Sequence, residues 1–346
     1  MTHSAVEDDF QTLTGQYRRE LLAYCYRMLG SVHDAEDLVQ ETYLRAWKSY
    51  ENFEGRSSLR TWLYRIATNA CLTALEGRGR RPLPTGLGAP SADPGAELVE
   101  RPEVPWLEPV PDAVVGAGGA MAGDPAAIVT SRASIRLALI TALQYLPTRQ
   151  RVVLIMRDVL GWRAAEVAEL LGSTTVAVNS MLQRARSQIS ELAPPEDEVT
   201  EPATAQQREL LERYVAAFEQ YDTAALVKLF SSDVVWEMPP FTGWYQTPEV
   251  IGRLVASQCP AKQAGDLRLV ATEANGQAAF GMYLRDESGG YQPFQLHVLH
   301  LAGGGEADER SGADEASGVA IDHVTAFFDL SLFPMFGLPG SIAAGS

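Results

Sequence analysis

The chain has little cysteine, little histidine and no long apolar run. Cys25, Cys71 and Cys259 are its only three cysteines in 346 residues, and they lie far apart with no CxxC or Cys/His spacing. This excludes a disulfide framework and a zinc site, and no metal or other cofactor is expected. No stretch approaches the ~18 uninterrupted apolar residues of a spanning helix. The opening MTHSAVEDDF has neither a basic nor an apolar signal region, so a cytoplasmic protein without a membrane partner is expected. What is present is globular in composition: 46% hydrophobic, 21% charged and 8% aromatic, over a length that suits two or three domains.

Basic charge is also scarce, and its distribution is uneven. The net charge is -16. Residues 1–81 balance, residues 82–126 carry one basic against seven acidic side chains, and residues 194–346 carry eight against 22. Only residues 127–193 are positive, with eight against four. Phosphate attraction acts over a Debye length of about 8–10 Å, so this local excess matters more than the total.

The hydrophobic pattern divides the chain. Residues 8–81 read as helices. Leu13, Tyr17, Leu21 and Met28 keep a near i, i+4 rhythm, Gly30 ends a helix, and Ser31 with Asp34 starts the next as a capping box with Asp in place of Glu. Ser57 or Ser58 opens a third helix, stopped by Gly77 and Gly79. Residues 82–126 are dense in Pro, Gly and acids and read as a flexible linker. Residues 127–193 return to helical rhythm, with Pro147 opening a helix, and residues 194–205 form a second linker. Residues 206–336 read as helices followed by strands at Leu267–Val270, Ala278–Tyr283, Phe294–Leu301 and Val319–Phe328. Asn275-Gly276 marks a hairpin, so an α+β domain is expected, with a tail at 337–346. Residues 302–318 read as a disordered hairpin tip.

Three constellations carry chemistry. In the basic block, Glu166–Gly172 is a short amphipathic helix, and Thr174 can cap a second through Val178, Met181, Leu182 and Ala185. This is a helix-turn-helix pattern. Thr174, Thr175, Asn179, Ser180 and Gln183 would face base edges, with Arg184 and Arg186 placed for phosphates; a plain helical hairpin is the alternative. Next, Asp34, Asp37 and Glu41 share one helix face beside Leu38, as a solvated acidic face or a docking surface for a basic partner. Finally, on the helix from Leu59, the residues Leu59, Leu63, Ile66, Ala70 and Ala74 form the expected core side. Thr61, Tyr64, Arg65 and Thr68 project oppositely, with Trp62 and Asn69 on a flank. Rings, guanidinium and amide suit unstacked bases, and the preceding loop NFEGRSS (Asn52–Ser58) could line a pocket for a flipped base. Ordinary amphipathicity is the alternative.

DAEDLVQETYLRAW (Asp34–Trp47), LRTWLYRIATNACL (Leu59–Leu72), LPTRQRVVLIMRDVLGW (Leu146–Trp162) and EVAELLG…VNSMLQRAR (Glu166–Arg186) together resemble the signature segments of the extracytoplasmic-function group of sigma-70 factors. The resemblance implies a multidomain chain with two all-α sigma domains, a region two helical bundle and a region four helix-turn-helix. It implies core RNA polymerase and promoter DNA as partners. Asp34, Asp37, Leu38, Gln40 and Glu41 then match the polymerase-docking surface. Arg60, Trp62, Tyr64, Arg65, Thr68 and Asn69 match the minus-ten reader, and Thr174–Arg186 the minus-thirty-five reader. The acidic linker matches the segment that threads into polymerase channels. Asn179 and Met181 stand where Lys or Arg is common, Ala177 replaces a usual Thr, and Arg163 stands where a Ser would cap the preceding helix.

The last block resembles the SnoaL-like (NTF2-like) cone-shaped α+β fold, on Leu210–Phe230, DVVWEMPPFTG (Asp233–Gly243) and the strand order. Trp236, Glu237, Met238, Trp244, Tyr245, His297 and His323 are then candidates for a pocket holding an unknown small-molecule ligand. The resemblance as a whole implies a non-catalytic initiation factor with a regulatory or ligand-sensing C-terminal domain. A polymerase-independent helix-turn-helix regulator, or a cyclase- or isomerase-type enzyme in the last block, remain the alternatives.

Overall fold

The computed structural model describes residues 10, 12–55, 57–115, 134–192, 204–302 and 319–344. They form two compact units. The first combines the chain up to Arg81 with Leu107–Pro195, and the second combines Pro82–Trp106 with Glu196–Ser346. The linker expected over 82–126 is therefore not one flexible piece. Residues 82–106 belong to the second unit, 107–115 pack in the first, and 116–126 lie outside the described residues. The hairpin tip at 303–318 and nearly all of the 194–205 linker also lie outside them.

In the first unit, α1 (Arg18–Leu29) is central. Nine successive residues from Leu21 are buried, so its surroundings, not one apolar stripe, define it. Gly30 closes it at φ 69°, a left-handed conformation that costs glycine nothing. Ser31 then caps α2 (Val32–Ser49), accepting the Asp34 N–H at 3.1 Å, and Ser58 caps α3 (Leu59–Leu75), accepting the Thr61 N–H at 3.1 Å. A short α4 (Asp112–Val115) follows the 107–111 stretch, in which Leu107 and Val110 are fully buried. The remainder is α5 (Leu137–Gln144), α6 (Thr148–Leu154) widening into a π turn over Ile155–Val159, α7 (Ala164–Leu170) and α8 (Thr175–Leu192).

Two buried guanidiniums tie the early helices to the late ones. Arg27 donates to Ser134 Oγ at 2.7 Å, and Arg151 donates to Gln144 Oε1 at 2.9 Å and to the Met28 carbonyl at the end of α1. Burial lowers both to about 10. They stay charged at neutral pH, and carbonyls at a helix C-terminus are suitable partners for such a charge.

The second unit opens with α9 (Ala205–Glu219) and α10 (Thr223–Val227). β1 (Phe230–Glu237), β2 (Trp244–Gln246) and α11 (Pro248–Gln258) follow. β3 (Leu267–Ala274), β4 (Gln277–Arg285), β5 (Tyr291–Ala302), β6 (Ala320–Phe327) and α12 (Leu332–Met335) complete it. The sheet runs β2-β1-β6-β5-β4-β3, with β1 and β6 parallel and every other pair antiparallel. Asn275 (φ 57°) and Gly276 (φ 69°) both take positive φ, as a type I′ hairpin requires. α9, α10 and α11 pack on one sheet face through Tyr214, Phe218, Leu226 and Leu254. The residues read as a tail are partly structural: Leu338 is buried, and Ile342 exchanges two backbone hydrogen bonds with Tyr291. Among the described residues, no helix is long and apolar enough to cross a membrane.

Candidate nucleic-acid interface

The six residues expected to read the minus-ten element divide into two sets on α3. Tyr64 and Thr68 are fully buried, a correction to the expectation that they face outward. Thr68 Oγ1 donates to the Tyr64 carbonyl at 2.7 Å and lies 2.9 Å from the Tyr24 hydroxyl. Tyr64 stands edge-on to Tyr24 and to Trp162, and burial pushes its phenol well above the ordinary range. The helix packs on two sides, so its second buried stripe takes polar and aromatic residues whose polar atoms are satisfied internally. Arg60, Trp62, Arg65 and Asn69 remain accessible to differing degrees. Trp62 lies against Phe53 with ring centroids 4.7 Å apart. Arg60 is held by Glu20 at 3.0 and 3.1 Å, and Arg65 by Glu169 of α7 at 2.7 Å. Leu59, Ile66 and Ala74, expected as core, are only half-buried.

On α2, Asp37, Gln40 and Glu41 are exposed. Leu38 is buried, and Asp34 is drawn away to Arg78 at 2.9 Å and Arg81 at 2.6 Å, so these two do not share the open face. Leu44, 60% exposed, does, at i+3 from Glu41 and i+7 from Asp37. Its helical offset from the carboxylates was the signal available in sequence.

The turn between α7 and α8 forms as the pattern requires. Gly172 takes φ 57°, and Thr174 Oγ1 accepts the Ala177 N–H at 3.2 Å. The missing Ser cap at Arg163 is replaced from the other side: the Glu166 carboxylate accepts the Arg163 backbone N–H at 2.7 Å and its guanidinium at 2.9 Å. Thr174, just before α8, and Thr175, Asn179, Ser180, Gln183, Arg184 and Arg186 on it are all exposed. Arg186 is gripped by Asp158 at 2.6 and 2.8 Å. A surface hollow lined by Arg157, Val176, Asn179, Ser180, Gln183 and Arg186 follows the start of the helix. Val176 is 74% exposed, an apolar side chain amid polar ones, and went unread because its position breaks the apolar period.

Comparison with known proteins decides the family. Sigma-70 region 2 matches residues 13–81, and Sigma-70, region 4 matches residues 136–189. Over 335 residues the chain is 57% identical to the ECF RNA polymerase sigma factor SigG of Mycobacterium tuberculosis (strain ATCC 25618 / H37Rv), covering 96% of this chain and 85% of that protein. The chain belongs to the extracytoplasmic-function sigma factors. It is also 31% identical over 220 residues to SigJ of the same organism, covering 63% of this chain and 61% of SigJ. The crystal structure of Mycobacterium tuberculosis SigJ matches this sigma factor with a TM-score of 0.56 at 21% identity, over 96% of this chain and 99% of that one. The shared fold includes the mixed α/β C-terminal domain.

In that domain of the sigma factor, the seven pocket candidates do not line one cavity. Neighbours along a strand face opposite ways, and β1 places Trp236 and Glu237 on opposite sides of the sheet. Trp236, Met238 and Tyr245 enter the apolar core under the helices. His297 joins them on that face, its ring 5.3 Å from that of Trp236 and its Nδ1 2.7 Å from the Tyr214 hydroxyl. Burial lowers its pKa to about 3, so it is neutral. Trp236 Nε1 and His297 Nε2 have no hydrogen-bond partner among the described residues. On the other side, buried Glu237 lies 2.7 Å from His323 Nε2 and accepts from Thr325 at 3.4 Å and from the Thr85 N–H at 3.1 Å. Burial works against the His323 imidazolium, but Glu237 and Asp322 outweigh it and its pKa rises. Trp244 donates its indole N–H to the Gly88 carbonyl at 2.8 Å.

Proposed function

We propose that this sigma factor binds core RNA polymerase through the open face of α2, with Asp37, Gln40, Glu41 and Leu44 as contacts. It then opens and reads promoter DNA with Arg60, Trp62, Arg65 and Asn69 at the minus-ten element. Thr174, Thr175, Val176, Asn179, Ser180, Gln183, Arg184 and Arg186 read the minus-thirty-five element. The carrying observation is that one folded unit offers three chemically distinct open faces: carboxylates with a lone leucine, an aromatic–amide helix flank, and a polar recognition helix. A plain helix-turn-helix regulator needs only the last. Pull-down with purified core polymerase, followed by run-off transcription, tests this. The double variant Asp37→Lys/Glu41→Lys is expected to lose at least tenfold in association while keeping the fold; unchanged association refutes the docking face.

The C-terminal domain acts as a regulatory module in this reading, not as an enzyme. A general base needs an open lone pair beside its substrate, and Glu237 is buried with partners on both oxygens. A small neutral ligand with an acceptor oxygen is a second reading, favoured by the unpartnered Trp236 Nε1 and His297 Nε2.

A further inference from the structure

Residues Pro82–Trp106 connect one sigma region to the other in sequence, yet their partners lie in the C-terminal domain. The Thr85 N–H donates to Glu237. The Gly88 carbonyl accepts from the Trp244 indole, and the Ser91 N–H donates to the Trp244 carbonyl at 2.7 Å. The Pro94 carbonyl accepts from Ser257 Oγ at 3.1 Å and Gln258 Nε2 at 3.1 Å, and the Ala96 carbonyl accepts from Gln258 at 3.0 Å. The Thr242 N–H donates to the Val99 carbonyl at 3.0 Å, and the Arg101 N–H donates to the Pro240 carbonyl at 2.9 Å.

Every atom the segment contributes to these bonds is backbone. β2 is the edge strand of the sheet, and its free Trp244 carbonyl is taken by Ser91. The segment is not a regular strand: Pro84–Gly86 forms a 3-10 turn and one isolated bridge joins Glu100 to Phe241, so the domain holds its main chain at successive points. Charge does not drive it. The segment carries Asp93, Glu97, Glu100 and Glu103 against Arg101, and the chain from residue 194 onward is itself strongly acidic. Like charges weaken the docking at low salt and leave it releasable.

We propose that the C-terminal domain is a docking site for the chain's own connector, and that docking restrains transcription by shortening the tether between regions two and four. Released and extended, 25 residues span about 80 Å. Docked, that length is unavailable to the two promoter-reading regions. The proposal rests on the regulatory reading of the domain and names its mechanism.

Amide hydrogen exchange on the full chain, alone and with core polymerase, tests the docking, and run-off transcription tests the restraint. In the wild type, the amides of Thr85, Ser91, Arg101 and Thr242 are expected to exchange at least tenfold slower than in an unstructured peptide, and slower still in added salt. Ser91→Pro removes the N–H given to Trp244 and the hydroxyl bonded to Tyr245, and leaves β4 and β5 untouched. It is expected to release these amides while leaving those of β4 and β5 protected, and to raise run-off transcription about threefold or more. Free exchange of the wild-type segment overturns the docking and leaves the regulatory reading standing. Release by Ser91→Pro with unchanged transcription overturns the restraint, and with it regulation by this route.

Discussion

Trp162 stands edge-on against Tyr64, with ring centroids 5.4 Å apart and planes at 64°. With Arg65 bound to Glu169, this contact sets residues of region four against α3 of region two. Tyr64 is buried in the core of the first unit, and a packing role is expected of it. Tyr64→Phe is expected to leave promoter opening within twofold of wild type. Tyr64→Ala is expected to cost ~3–5 kcal/mol of stability in chemical denaturation, the usual loss for a large buried aromatic. A large opening defect in a stable Tyr64→Phe protein would return the ring to the DNA face.

The Arg65–Glu169 pair is largely exposed, so its contribution is modest. Glu169→Gln is expected to raise the affinity of the free chain for a single-stranded minus-ten oligonucleotide by no more than about fivefold, read by fluorescence anisotropy. A larger rise would mean that the pair is a principal lock on this face.

Val176 offers the recognition helix one apolar contact, and the 5-methyl group of thymine is the apolar feature of the major groove. In a duplex selected by binding to the holoenzyme, replacing one thymine of the minus-thirty-five element by deoxyuridine is expected to weaken wild-type binding severalfold. Val176→Ala is expected to abolish that difference. Equal discrimination in both proteins would remove Val176 from base reading.

Two histidines give the C-terminal domain opposite pH limbs. His297 has a lowered pKa, so its contribution is complete above the unfolded value of about 6.5 and is lost as pH falls toward about 3. His323 has a raised pKa, so its contribution is complete below about 6.5 and is lost as pH rises through the raised value. Thermal melting across pH is expected to show His297→Gln flattening the acid limb and His323→Gln the alkaline limb. Unchanged limbs would disconnect these residues from the stability profile.

Much of the helical half was legible because its signals are local. Ser31, Ser58 and Thr174 each accept an N–H three residues on, as their sequence positions imply. Tyr64 and Thr68 were misplaced because periodicity identifies one apolar stripe, and a helix packed on two sides hides a second. The connector was misread because proline and glycine argue against a helix or a regular strand, but not against backbone bonds to a sheet edge that sequence cannot locate. Glu237 and Trp236 separate only once β1 is known to be a strand, since adjacent residues of a strand face opposite ways. β1 itself went unread because FSSDVVWE does not alternate, and it lies between β2 and β6 inside the sheet.

Promoter opening by the accessible side of α3 is the central claim, and a permanganate-footprint comparison on a duplex promoter with core polymerase tests it most directly. A stacked base is worth ~1–3 kcal/mol, so Trp62→Ala/Asn69→Ala is expected to lower opening by about tenfold or more with polymerase association unchanged. Full opening by that variant, or a folded wild-type chain that never associates with core polymerase, would contradict the account.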